Sequence, residues 1–207
     1  LRIKVGRWNI NGKPAVILVD FSTFIANKDK ILEDFWKDYG LDSLSGQWDY
    51  LEPVLFGYAS AKVIESFYNY YLLFRQNVIA QFHEWMTGSG VLYLKTNVPR
   101  IATVQTTHAT VLGRCIAGNG LPLYDKLNTY DPKEIASKFN VIAKQSIEQI
   151  SAVEADCFTT VSEITANECK QFLNKPVDLI TPNGFEDTFV PKGEDYDNKR
   201  KIARQKL

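Results

Sequence analysis

The sequence predicts an α/β protein that is built on a mostly parallel, doubly wound sheet. Segments with helical spacing separate short β-rich runs, and strand and helix alternate in this way from Val78 to Gly184. Such alternation is typical of βαβ units, whose strands are parallel. The predicted strands of this sheet lie at residues 78–80, 101–104, 157–161 and 178–180.

Two strands and a first helix are predicted at the start of the chain. Leu1 to Trp8 and Pro14 to Val19 are β-rich, and Asn11-Gly12 between them is a strong hairpin signal. Apolar residues recur at helical spacing from Asn27 to Tyr39. Gly40 follows at the position where a glycine commonly ends a helix.

A long helix is expected from about Pro53 to Phe74, with an aromatic side that we expect to lie in the core. The aromatic residues are Phe56, Phe67, Tyr70, Tyr71 and Phe74. The helix predicted for Met86 to Lys95 contains Gly88 and Gly90. These two glycines permit either a close approach of the backbone to a ligand or tight packing of the helix on the sheet.

A second long helix is predicted to begin at Asp131-Pro132. The apolar residues of its expected buried stripe are Ile135, Phe139, Ile142, Ile150 and Val153. Ser162 precedes the next predicted helix, Glu163 to Leu173, and is a candidate N-cap.

Composition places the chain among ordinary globular proteins, with 45% hydrophobic and 23% charged residues in 207. A formal net charge of zero disfavours a general nucleic-acid binder. No apolar run is long enough to span a membrane, and the charged first residues disfavour a signal peptide. Three cysteines without metal-ligand spacing favour reduced thiols and a cytoplasmic protein.

The termini indicate a piece of a longer protein, because the chain lacks an initiator methionine and stops inside a basic helix beginning near Asp197. We expect residues 1–195 to form one Rossmann-like domain that is incomplete at its N-terminus. Residues 196–207 are expected to begin a helix that leads towards a further domain.

Two histidines, His83 and His108, follow neighbouring predicted strands, and Arg114 lies in the helix after His108. Open α/β sheets bind ligands at the carboxyl ends of their strands. A helix N-terminus after His108 would also favour negative charge. These features predict a polar cleft for an anionic ligand.

Several enzyme classes are disfavoured by the motifs. His83-Glu84 does not form the zinc motif HExxH, because position 87 is Thr87. Neither a GxSxG elbow nor a GxGxxG or Walker phosphate motif is present. No metal or cofactor is therefore expected.

Each candidate side chain also has a structural interpretation. Glu84 is either a ligand-binding carboxylate or a carboxylate at a strand end that pairs with a nearby base. His108 is either a ligand-binding residue or a histidine whose hydrogen bond goes to a backbone carbonyl. Arg114 is either a phosphate-binding residue or a solvated or salt-bridged residue of its helix.

Four strings, in this order, carry a family resemblance: FHEW at 82–85, TTHATVLGR at 106–114, CFTTVSEITANE at 157–168 and PNGF at 182–185. Together they resemble the glycogen synthases of the eukaryotic-type glycosyltransferase family, including bacterial relatives. The resemblance extends from about Gly6 to Pro191. It implies the N-terminal, acceptor-side domain of a GT-B glycosyltransferase, in which two Rossmann-like domains face each other across a cleft.

The resemblance also implies roles for particular residues. His108 would lie beside the donor glucose and Arg114 near the phosphates of the sugar nucleotide, and both are assigned to catalysis. Glu84 would lie at the bottom of the cleft and Asn183 would approach the glucose. Thr107 and Gly184, the neighbours of His108 and Asn183, complete the expected substrate-binding set.

Two family features are absent from this sequence: a lysine followed by paired glycines, and the C-terminal domain that would hold the phosphate-binding Arg/Lys pair and the nucleobase pocket. The resemblance implies transfer of glucose from UDP- or ADP-glucose to the non-reducing end of an α-1,4-glucan, with retention at the anomeric carbon. We expect the 207-residue chain alone to be inactive, with no nucleic-acid or membrane partner and with homo-oligomerisation open. Two alternatives are another GT-B enzyme, such as one that makes sucrose or trehalose, and a non-catalytic α/β module that binds sugar or nucleotide.

Overall fold

A computed structural model describes residues 1–74, 77–185 and 190–206. Its strands are β1 Arg2–Arg7, β2 Ala15–Asp20, β3 Ile79–His83, β4 Ala102–Thr107, β5 Cys157–Thr160 and β6 Leu179–Ile180. Its α-helices are α1 Lys28–Tyr39, α2 Trp48–Phe67, α3 Gly88–Asn97, α4 Val111–Gly118, α5 Pro132–Lys138, α6 Ile142–Glu154, α7 Glu163–Phe172 and α8 Glu194–Gln205.

The strands form two sheets. β1 and β2 pair antiparallel as the predicted hairpin, and β3, β4, β5 and β6 form a parallel sheet in that order. The parallel sheet confirms the Rossmann-like α/β prediction, and the order contains no reversal among the strands described. His83 is level with Thr106 on β4, and Thr106 is level with Thr159 on β5. The carboxyl ends of these three strands therefore lie at one edge.

The two faces of the parallel sheet differ in burial. Ala80, Phe82 and Phe158 point to a buried face, whereas Ile79, Gln81 and His83 alternate with them and are exposed. Successive side chains of a strand point to opposite faces, so one side of the edge strand β3 is covered and the other is exposed. On the neighbouring strands, Thr106 and Thr159, which are level with His83, are buried. His83 lies on the open face, near the carboxyl edge.

Helix α2 packs on α3 through small residues, and this overturns the prediction of an aromatic core. A Cβ added at Gly57 would lie 2.3 Å from Ser89 Oγ, so the two helices approach closely. The small-residue side of α2 is therefore buried and its aromatic side faces outwards. The predicted core aromatics Phe56, Phe67, Tyr70, Tyr71 and Phe74 are 38% to 96% exposed.

The glycines of α3 serve packing, which was one of their two interpretations. A Cβ at Gly90 would lie 2.3 Å from the Phe82 ring on β3. A Cβ at Gly88 would lie 2.7 Å from Ser151 Oγ on α6. Both glycines are buried, so they bring α3 close to the sheet and to α6.

Other helix boundaries show where the sequence patterns were right and wrong. The single helix predicted from Asp131 is two helices, because the chain turns at Asn140 with a φ of 55°. Its predicted core residue Val153 is half exposed. Ser162 caps α7, as predicted, by accepting a hydrogen bond from Thr165 N–H.

The C-terminal helix begins at Glu194, three residues before the predicted start near Asp197. The division of the chain at residue 195 stays a prediction. Among the described residues, no helix has both the length and the apolar character needed to cross a membrane.

Candidate active site at the carboxyl edge of the sheet

Glu84 is the centre of a polar cluster at the carboxyl edge. It follows β3 directly and is only 9% exposed. Its Oε1 accepts hydrogen bonds from His108 N–H at 3.1 Å and from Arg114 Nη2 at 3.2 Å. One carboxylate therefore contacts two of the predicted site residues, and Glu84 does pair with a base at the strand end.

The backbone of Glu84 is held in an unusual conformation. Its φ of 63° and ψ of 167° fall in a region that is nearly restricted to glycine and costs on the order of 1–3 kcal/mol for other residues. Gln105 Nε2 donates to the carbonyl of Glu84, and Glu84 N–H donates to the carbonyl of Thr106. These bonds to β4 keep the carboxylate beneath His108 and Arg114.

Arg114 lies in the first turn of α4 and points back to the strand end, as helical side chains do. Arg114 forms an ion pair with Glu84, so it is a salt-bridged residue of its helix. The side chain is nevertheless 60% exposed, and only Nη2 is bonded to Glu84. A guanidinium has five N–H donors, so the remaining fork faces the solvent and is available to a phosphate.

His83 and His108 are in direct contact. Nδ1 of His83 lies 3.1 Å from Nε2 of His108, and their ring centroids are 5.4 Å apart. His83 is exposed and His108 is half-buried. Burial first, and the neighbouring imidazole of His108 second, lower the pKa of His83 below its ordinary value of 6.5.

The N-terminus of α4 is already capped by protein groups. Both carboxyl oxygens of Glu148 accept from Val111 N–H, and Thr110 Oγ1 accepts from Gly113 N–H. His108 N–H is bonded to Glu84 as well. The helix therefore adds its dipole to the site, while an anion would find its donors on Arg114 and the imidazoles.

Glu148 and Glu168 were missed by sequence reasoning, although they support this helix end. Glu148 is 1% exposed and Glu168 is 4% exposed. Oε2 of Glu168 accepts from the Thr110 hydroxyl at 2.7 Å, and Oε1 accepts from the Tyr124 hydroxyl at 3.1 Å. Glu148 lies among the buried residues of α6, and a glutamate in such a stripe was the available signal.

Burial raises the pKa of Glu148 to about 8, and the nearby Glu84 and Glu168 act in the same direction. The hydrogen bond from Val111 and the charge of Arg114 act against this rise. Glu148 is therefore mostly neutral at pH 7. A neutral Glu148 reduces the number of negative charges gathered around α4.

The remaining predicted site residues lie further from this cluster. Thr107 ends β4 and is fully buried, and its hydroxyl has no hydrogen-bond partner among the described residues. The Thr107 carbonyl accepts from Thr160 Oγ1 at 2.6 Å. A ligand would therefore not meet the Thr107 side chain on the surface, and its binding role stays a prediction.

Asn183 and Gly184 follow β6 and are exposed. Thr181 ties this segment to β5 by donating its N–H to the carbonyl of Thr160 at 2.7 Å. Since β6 is two strands from β4, these residues lie at the same edge of the sheet as His108, roughly 10 Å to one side. Their contact with a ligand also stays a prediction.

A cavity of about 790 Å³ lies elsewhere, beside α1 and the loop after it. Its wall includes Leu32, Trp36 and Leu44 and none of the predicted site residues. The cluster around Glu84 instead lies at the carboxyl edge of the sheet, where Arg114 is 60% exposed. A ligand there needs a second wall to be enclosed.

A parallel α/β domain with a histidine and an arginine at its carboxyl edge is the class of domain found in Rossmann-like glycosyltransferases. The family model for glycogen synthase matches residues 1–207. The chain belongs to the glycogen synthase family.

Curated relatives support the same assignment. The chain is 35% identical to liver glycogen [starch] synthase of Mus musculus over 184 residues, which is 89% of this chain and 26% of that protein. It is 32% identical to glycogen [starch] synthase of Neurospora crassa over 205 residues, 99% of this chain and 29% of that protein. It is 30% identical to glycogen [starch] synthase isoform 2 of Saccharomyces cerevisiae over 203 residues, which is 98% of this chain and 28% of that protein. The chain thus spans between a quarter and a third of the length of these relatives.

Proposed function

We propose that the longer protein containing this chain transfers glucose from a nucleotide-activated donor to the non-reducing end of an α-1,4-glucan, with retention at the anomeric carbon. The observation that carries this proposal is the Glu84 cluster, which holds His108 and Arg114 together at the carboxyl edge of the sheet. Membership of the glycogen synthase family supports both the donor and the acceptor class.

Arg114 stabilises the leaving diphosphate in this scheme. Negative charge grows on the bridging oxygen as the bond to the sugar breaks, and a fixed cation beside it lowers the barrier. Glu84 holds one nitrogen of the guanidinium, which orients the exposed fork without filling it. No proton transfer from Arg114 is needed, because a guanidinium remains charged.

His108 and Asn183 bind the sugar in the same scheme. Hydrogen bonds to the sugar hydroxyls hold the ring in position as the oxocarbenium ion develops. His108 offers a ring nitrogen after β4, and Asn183 offers an amide after β6, at the same edge of the sheet. Thr107 and Gly184 are proposed to support these two positions through their backbones.

The other donors to the diphosphate and the nucleobase pocket are assigned to the part of the protein outside this chain. Either UDP-glucose or ADP-glucose is compatible with the proposal. We also propose a cytoplasmic location and possible homo-oligomerisation, with neither a membrane nor a nucleic acid as a partner.

The decisive experiment is an assay of the longer protein with UDP-glucose and ADP-glucose on glycogen, following release of the nucleoside diphosphate. We expect transfer with one or both donors, and amylase digestion should show that the new linkage is α-1,4. Transfer to a monosaccharide instead would identify a sucrose- or trehalose-type enzyme. Binding of a sugar nucleotide without transfer to any acceptor would identify a non-catalytic module.

A further inference from the structure

The contact between His83 and His108 restricts how His108 can act. Nε2 of His108 faces Nδ1 of His83 at 3.1 Å. In the described residues, Nδ1 of His108 has no hydrogen-bond partner. If His108 binds a ligand through its ring, it therefore does so through Nδ1.

A hydrogen bond between two imidazoles also fixes protons. One nitrogen of the contact must carry hydrogen and the other must accept it. The bond made at one nitrogen of a histidine thereby decides whether the other nitrogen is protonated. If His83 donates, Nδ1 of His108 carries the proton, and if His83 accepts, Nδ1 of His108 is a bare lone pair.

The surroundings favour donation by His83. Glu84 accepts from the backbone of His108, so carboxylate oxygen is already concentrated there. A lone pair on Nδ1 of His108 would add another acceptor beside it. Glu84 is the charged group that contacts the pair, through the backbone N–H of His108, and Arg114 is in turn bonded to Glu84. A diphosphate-sugar ligand, which is rich in acceptor oxygens, needs N–H groups from this wall.

The backbone of His83 is positioned for this contact by Thr87. The Thr87 hydroxyl donates to the carbonyl of His83 at 2.6 Å and accepts from His83 N–H at 3.0 Å. These two bonds fix the end of β3, from which the ring extends towards His108. Since the pKa of His83 is lowered from its ordinary value of 6.5, the His83 ring is neutral at pH 7.5 and has one N–H to donate.

We propose that His83 is a positioning residue, which donates from Nδ1–H to Nε2 of His108 and so holds His108 as the Nδ1–H tautomer for an oxygen of the ligand. The nature of that ligand rests on the proposed glucosyl transfer. The tautomer itself does not, and it is measurable in the 207-residue chain without any substrate.

The spectroscopic test uses the fact that the chain contains only two histidines. Long-range ¹⁵N–¹H spectra of the ¹⁵N-histidine-labelled chain at pH 7.5 separate protonated from unprotonated ring nitrogens. We expect Nδ1 of His108 to be protonated in the wild type. In His83→Ala the proton should shift towards Nε2, and His83→Asn should restore it, because the Asn amide nitrogen replaces Nδ1 at the same distance along the side chain.

Gln81→Ala is the matched control, since Gln81 precedes His83 on the same exposed face of β3 and bonds to Thr106 rather than His108. It should leave the His108 signals unchanged. Protonation of His108 at Nε2 in the wild type would overturn the proposal. The same His108 tautomer in the wild type and in His83→Ala would also overturn it.

The kinetic test uses the longer protein. His108→Ala should lower kcat by roughly 10²-fold, the effect of losing one preorganised donor. His83→Ala should lower it by about 10-fold, as is typical when an orienting partner is lost, and His83→Asn should recover most of that loss. Equal losses for His83→Ala and His83→Asn would contradict the positioning role. A wild-type protein without transfer would refute the proposed function, while the spectra would still decide the tautomer.

Discussion

The guanidinium of Arg114 forms an ion pair with Glu84 in the structure, and in the proposed reaction it also binds the diphosphate. The arginine side of this pair is 60% exposed and is screened by solvent, whereas the side chain of Glu84 is 11% exposed. An exposed guanidinium that a buried carboxylate holds by one nitrogen is suited to binding an anion.

Arg114→Ala in the longer protein should lower both kcat and kcat/KM, because it removes a cation needed most when the diphosphate leaves. Arg114→Lys keeps the charge and loses the planar fork, so it should recover only part of the activity. Steady-state kinetics at saturating glucan would measure both effects.

Arg100→Ala is the matched control, because Arg100 is exposed and precedes β4, at the opposite edge of the sheet. Its kinetics should be those of the wild type. If Arg114→Ala raises KM alone, Arg114 only holds the ground-state donor. Wild-type kinetics for Arg114→Ala would show that Arg114 serves only as the salt-bridge partner of Glu84.

Glu148 should make stability depend on pH. Its pKa is about 8 in the folded protein and about 4.5 in an unfolded chain. Between these values the folded state binds a proton that the unfolded state has released, so stability should fall as the pH rises from about 5 to about 9. Glu148→Gln keeps an oxygen for Val111 N–H without a charge. It should match the wild type at pH 5 and exceed it at pH 9, by on the order of a few kcal/mol at most.

Urea unfolding of the chain at several pH values would measure this difference. Glu163→Gln, an exposed glutamate in the first turn of α7, is the control and should leave the pH dependence unchanged. A Glu148→Gln variant that loses stability at pH 9 would show that the carboxylate form is needed there.

At the residue scale, the sequence predicted the side chains that meet in the candidate site, but not the side chains that support them. Sequence strings at the ends of predicted strands identified Glu84, His108 and Arg114. The structure brings these three residues together. Glu148 and Glu168 come from helices 34 and 54 residues after Arg114. Only tertiary packing shows that their carboxyl groups meet the start of α4, so no local pattern identifies their partners.

Helix α4 is the element that joins these carboxyl groups to the candidate site. Thr110 caps it by accepting from Gly113 N–H and donates its own hydroxyl hydrogen to Glu168. The carboxylate approaches Gly113 so closely that an added Cβ would lie 2.2 Å from Glu168 Oε2. The glycine is required by this contact.

Gly113→Ala should therefore destabilise the chain by about 1–3 kcal/mol, the usual effect of overpacking a buried site. Gly118→Ala in the same helix is the matched comparison, because a Cβ there meets nothing within 4 Å. It should leave stability unchanged or raise it by up to about 1 kcal/mol. Urea unfolding would measure both, and equal stabilities of the two variants would show that Glu168 moves aside without cost.

At the element scale, periodicity predicted the type of most elements but not always which face is buried. Helix α2 is apolar on more than one side, and aromatic size suggested the wrong side. Its close approach to α3 at Gly57 requires small residues, which leaves Phe56 and Phe67 outside. The break at Asn140 was missed because the apolar residues on both sides continue one helical pattern.

The whole chain provides one wall of the proposed active site. Within the described residues, the parallel sheet presents His108 and Arg114 at an open edge, with no facing domain to enclose a ligand. The relatives are three to four times longer than the matched region. We propose that the other phosphate-binding residues lie in that additional length.

The 207-residue chain should therefore fold but transfer no glucose. Its core contains fully buried residues from α2, α3, α6 and β5, which predicts a cooperative unfolding transition. A single exposed guanidinium and two imidazoles cannot replace a complete diphosphate site, and water has free access to this edge. The measurement is release of nucleoside diphosphate from UDP-glucose or ADP-glucose in the presence of glycogen, with the longer protein as the positive control. A folded chain that transfers glucose above background would show that the second wall is unnecessary.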